Sequence, residues 1–62
     1  MSAEESLRRA EELMERLEET RARLEATTDP ETAIEVLSEL AEIAREVEQA
    51  LSQAKREADA AP

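Results

Sequence analysis

The sequence predicts an all-α protein, a two-helix antiparallel αα-hairpin that assembles as a four-helix bundle or packs on the helices of a partner. Three observations carry this expectation. Apolar residues recur by threes and fours through both halves of the chain, the spacing of a helix with a buried stripe. One short interruption, Ala-Thr-Thr-Asp-Pro at positions 26–30, separates the halves. The second half is apolar over more of its circumference than one neighbouring helix can cover.

Each element follows in order. Ser2 with Glu5 three residues on is a capping-box signature, and the acidic pair Glu4 and Glu5 suits the positive end of a helix dipole. The first helix is expected over about residues 3–26, on Leu7, Ala10, Met14, Leu17 and Leu24 with Leu13 beside them. Its polar side carries Glu4/Arg8, Glu5/Arg9, Glu12/Arg16 and Glu19/Arg23, all in the favourable acid-first order four residues apart. Thr27 and Thr28 break the pattern. Asp29 is then a good N-cap, and Pro30 suits the first helical position, where its missing N–H costs nothing. The second helix is expected over about 30–58, with a frayed tail at 59–62. A turn of about 27–29 is too short for anything but antiparallel neighbours, so residues 1–62 form one hairpin.

In the second helix a strict heptad runs through Leu37, Leu40, Ala44, Val47, Leu51, Ala54 and Ala58. Apolar residues flank it on both sides, Val36, Ile43 and Ala50 on one and Ile34 and Ala41 on the other. Folding back the first helix places Leu24 near Ala33, Leu17 near Leu40, Met14 near Ile43 and Ala44, Ala10 near Val47, and Leu7 near Ala50 and Leu51. One side of the second helix is then left facing water. The expected interface is Val36, Leu37, Leu40, Ile43, Val47, Ala50 and Leu51, and its occupant is a second copy, giving a dimer, or a larger helical subunit.

Composition narrows the chemistry. With no Cys, His, Trp, Tyr, Phe or Gly, the chain has no thiolate, no imidazole base or ligand, no stacking aromatic and no phosphate-cradling loop. No catalytic residue, cofactor or metal ligand set is therefore expected. Bundle di-metal sites pair Glu with His, and His is missing. The net charge of −9 opposes direct nucleic-acid binding, which needs clustered Lys and Arg. There is no apolar run long enough to span a bilayer and no signal peptide, so a soluble, cytoplasmic protein without membrane contact is expected.

Two polar features stand beside the apolar ones. Glu4, Glu11, Glu18 and Glu25 repeat every seven residues and form an acidic rail along the first helix. It is either an ordinary solvated face or a docking edge for a basic partner. Arg21 occupies a heptad position where Leu would be expected, and near the turn it can snorkel to solvent.

A family resemblance rests on Leu17-Glu18 followed by Arg23-Leu24-Glu25 at the end of the first helix, a short proline-containing turn, and Ala33-Ile34 and Leu37. It continues through Ile43-Ala44-Arg45, Leu51 and Gln53-Ala54, in matching order over about three quarters of the chain. In these residues the chain resembles the small subunit of exonuclease VII, a bacterial family of short acidic helical hairpins. The resemblance implies a non-catalytic accessory subunit. In that family a large subunit binds and cuts single-stranded DNA while several small subunits clothe its long helices. The same residues also suit a stand-alone self-associating hairpin, natural or designed, with no activity beyond its fold.

Overall fold

The computed structural model describes residues 2–60, which form two α-helices and a three-residue connection. Helix α1 spans Ala3–Ala26 and helix α2 spans Pro30–Ala60. The first begins on a complete capping box. The Glu5 backbone N–H donates to Ser2 Oγ at 3.2 Å, and the Ser2 N–H donates to Glu5 Oε1 at 3.4 Å, so two of the orphan donors of the first turn are satisfied reciprocally.

The helix ends without glycine because Thr27 leaves the helical region for extended backbone, with φ −83° and ψ 129°. Among the described residues no position has positive φ. The Thr27 N–H donates to the Leu24 carbonyl and its hydroxyl to the Arg23 carbonyl at 2.7 Å, which occupies acceptors that the helix terminus would leave open. Asp29 precedes a proline and is thereby biased away from helical backbone, which completes the break. Its carboxylate accepts from the Thr32 N–H at 2.9 Å and from the Thr32 hydroxyl at 2.8 Å, starting α2 with Pro30 in its first turn. The second helix continues to Ala60, two residues beyond the end its sequence suggested. Of the expected frayed tail, positions 61–62 lie outside the described residues.

The helices lie side by side as a rod. Its radius of gyration is 14.5 Å, against ~11 Å for a compact domain of this length. A single layer of side chains lies between the helices, so the core is a seam. On α1 the seam takes Ala3, Ser6, Ala10, Leu13, Leu17, Thr20 and Leu24, and on α2 Ala33, Val36, Leu40, Ile43, Val47, Ala50 and Ala54. Each set is an unbroken three-four repeat, as in a two-stranded antiparallel coiled coil. Ala10, Leu13 and Ala50 form a buried cluster with Val47 packed against it, where small residues let the helices approach.

This seam is rotated from the one expected. The two frames share Ala10, Leu17, Leu24, Leu40, Val47 and Ala54. They differ in the alternate positions, where the structure buries Ser6, Leu13 and Thr20 against Val36, Ile43 and Ala50, leaving Leu7, Met14, Arg21, Leu37, Ala44 and Leu51 outside. Val36, Ile43 and Ala50, expected to face water, are the inside of the hairpin. The physical reason is Arg21: the expected frame would place a guanidinium in the seam, whereas the observed one carries only the small neutral polar groups of Ser6 and Thr20. Among the described residues no helix is long and apolar enough to cross a membrane.

Candidate functional site

The rotation gives the hairpin two unlike edges. On α1 the seam is flanked on one side by Arg9, Arg16 and Arg23 and on the other by Leu7, Met14 and Arg21. On α2 the flanks are Glu39, Glu46 and Gln53 on one side and Leu37, Ala44 and Leu51 on the other. Arg23 reaches across to Glu39 with two hydrogen bonds of 3.1 and 3.3 Å from its guanidinium. That contact fixes which flanks meet. The Arg column of α1 lies along the acidic column of α2, so the two apolar columns must lie together on the opposite edge.

The apolar edge is the most distinctive surface of the molecule. Leu7, Met14, Leu37 and Leu51 are 46%, 53%, 51% and 46% exposed, and Ile34, just outside the column, is 64% exposed. Single exposed aliphatics are ordinary on a protein surface, but four large ones on one edge with a fifth at its margin form an apolar patch. Of the seven interface residues expected from sequence, only Leu37 and Leu51 lie on this edge. Val36, Ile43 and Ala50 are buried, and Leu40 and Val47 are half-buried in the seam. Leu7 and Met14, assigned from sequence to the seam, belong to the surface. The signal that could have placed them there is Arg21, which shares their column.

The rail of Glu4, Glu11, Glu18 and Glu25 borders this edge and is exposed. Arg21 spans its turn-proximal half, giving Glu18 two hydrogen bonds of 2.7 and 3.0 Å and Glu25 one of 2.6 Å. The Arg21 hydrogen bond, then its charge, holds the Glu18 carboxyl below the usual carboxylate range, and the two glutamates in turn raise the guanidinium. Its charge therefore stays on its own helix. The opposite margin, on α2, carries Ile34, Ala41, Glu48 and Lys55, and Lys55 bridges Asp59 at 3.3 Å.

Elsewhere the molecule offers little chemistry. Ser6 is 1% exposed and donates to Glu57 Oε1 at 2.6 Å, a bond that holds the Glu57 carboxyl below its ordinary value against the opposing effect of desolvation. A hydroxyl so placed cannot meet a substrate, and its partner is tuned away from accepting a proton near neutrality. A shallow depression on the charged edge is lined by Ser6, Arg9, Glu46, Gln53 and Arg56, and so carries charges of both signs. No cluster of three or more potential metal ligands occurs among the described residues. No family model matches the chain, and no curated protein or solved structure matches it either.

Proposed function

We propose that this chain is a non-catalytic helix-docking subunit, a hairpin that lays its apolar edge along the helices of a larger protein whose chemistry lies elsewhere. The observation that carries this reading is the edge itself. The hairpin has its own seam of buried and half-buried residues and still presents Leu7, Met14, Leu37, Leu51 and Ile34 to solvent. Burying such a column on another helix gains roughly 25 cal/mol per Å² of apolar surface. The bordering rail suits a basic flank on that helix and would act mainly on association rate and salt sensitivity, as charges at the rim of an interface do. The larger protein best supported by the sequence is the large subunit of a single-strand-specific DNA exonuclease, through the resemblance to the exonuclease VII small subunit.

Co-expression with such a large subunit, followed by pull-down and an assay of single-strand degradation, tests the reading. Wild type should be captured and should support degradation, although the chain alone degrades nothing, having neither a basic groove nor stacking aromatics to hold a strand. The double variant Leu37→Glu/Leu51→Glu should lose capture. Replacing all four rail glutamates by Gln should change the salt dependence of association while capture persists. Failure of wild type to be captured would remove the nuclease reading, and capture of the double variant would remove the apolar edge as its docking surface.

A further inference from the structure

We infer that the apolar edge is also completed by a second copy of this chain, in a two-fold dimer that sets turn beside turn and lays α1 of each copy over α2 of the other. The inference rests on the reading of that edge as an interface; it names a second occupant, which takes the edge when the larger protein is absent, and a geometry for it. Size is the first support. The rod measures 52 by 14 Å across the pair of helices, so the footprint of one whole face, charged margins included, is at most roughly 700 Å², of the same order as the ~800 Å² per partner of a standard stable interface.

Layering is the second. With turn beside turn, Leu7 and Leu51 of both copies meet in one layer of four leucines, and Met14 and Ala44 of both copies form the next, large side chain against small. Nearest the turn, Leu37 of each copy lies by the stem of Arg21, whose guanidinium is already held outward by Glu18 and Glu25.

Charge decides between the two possible dyads. A dyad across the helices would lay α1 on the partner's α1 in the opposite direction, and the two acidic rails would face each other along their whole length. Like charges so placed are destabilising. A dyad along the helices sets each rail instead against the margin of Ile34, Ala41, Glu48 and Lys55 on the partner's α2. Glu4 then faces the partner's Lys55, and a single like-charged pair, Glu11 with the partner's Glu48, replaces the opposed rails. All four neighbouring helix pairs are antiparallel in this arrangement, as in an up-down four-helix bundle.

The chain has no cysteine, so one Thr28→Cys substitution in the exposed turn carries a spin label at a unique site. Sedimentation at micromolar to millimolar concentration should show twice the 6.9 kDa chain mass. The label-to-label distance should be far shorter than the 52 Å rod. Lys55→Glu should weaken dimerisation about two- to fivefold, the scale of an exposed ion pair, and adding Glu4→Lys should restore it. Leu7→Glu/Leu51→Glu should weaken it at least ~10-fold, because two apolar side chains per copy lose their burial. A dimer with labels a rod length apart, or one in which the charge swap restores nothing, would overturn the turn-beside-turn geometry while leaving the edge as a docking surface. A mass of one chain throughout would overturn the second copy as occupant, and capture by a larger helical protein would then stand alone. Unimpaired dimerisation of the Leu7→Glu/Leu51→Glu variant would overturn the edge as the surface on which two copies meet, and docking on a larger protein would then rest on the capture experiment alone.

Discussion

Thr20 and Arg21 are neighbours in sequence with opposite fates, one 3% exposed in the seam and the other bridging two glutamates in solvent. A threonine hydroxyl can be satisfied within its own helix, whereas a buried guanidinium without a partner loses far more hydration than the seam returns. That difference turns α1 toward Ser6, Leu13 and Thr20. Arg21→Leu removes it and makes Leu7, Met14 and the new leucine one apolar column; the expected outcome is a larger or more heterogeneous assembly by sedimentation. On α2, Ile43 and Leu37 make the corresponding contrast at 2% and 51% exposure. Ile43→Ala should cost ~2–5 kcal/mol, a large share of the ~3–9 kcal/mol available to a chain of this size, while Leu37→Ala should shift the urea midpoint of the monomer little and act on association. Ser6→Ala removes the donor that holds the Glu57 carboxyl low. A depressed carboxyl contributes stability that is present above its ordinary value of 4.5 and is lost as pH falls through the lower folded value. The deficit of Ser6→Ala should therefore be measurable by thermal melting at pH 7 and shrink below pH ~4.

Each helix is defined at its start by a side chain that takes up its free N–H groups. Ser2→Ala removes half of the capping box and should cost ~0.5–2 kcal/mol, seen as lower helicity with fraying at the first turn. Asp29 acts in the same way for α2, and both Thr32 bonds, the backbone one first, hold its carboxyl below its ordinary value of 3.8. Its contribution is thus present at neutral pH and lost as pH falls below that value. Asp29→Ala should accordingly destabilise the hairpin at pH 7 and differ little from wild type near pH 2, by circular dichroism. These termini were legible in the sequence because capping is local, decided by Ser2 with Glu5 and by Asp29 with Pro30. The rotation of the helices about their own axes was not. The two frames share six residues, and where they differ Val36, Ile43 and Ala50 are about as apolar as Leu37, Ala44 and Leu51. The choice depends on what α1 presents at the same level, a non-local question that the width of the apolar surface on α2 cannot answer. The excess width itself was legible, and it correctly implied that one helix does not cover the whole of α2; the structure moves the uncovered part from one flank to the other.

For the whole molecule the net charge of −9 and the apolar edge act against each other in self-association. Two copies repel at long range, and the Debye length falls from ~30 Å at 0.01 M salt to ~3 Å at 1 M. Dimerisation should therefore strengthen as salt is raised, whereas docking of the rail on a basic partner should weaken; sedimentation and capture across one salt series read the two effects separately. A different consequence follows from the three-residue connection. Every pairing between the helices encloses a stretch of chain whose length grows with distance from the turn, 16 positions at Arg23 and Glu39 and 51 at Ser6 and Glu57. Closure entropy rises with that length, so the hairpin gains most by zipping from the turn outward, rapidly and through local steps. The Ser6–Glu57 bond then serves as a latch that closes last and opens first. Amide hydrogens should exchange in a gradient along the rod, slowest around Val36 and Leu40 and fastest beyond Ala54, and loss of the latch should steepen that gradient without moving its slow end.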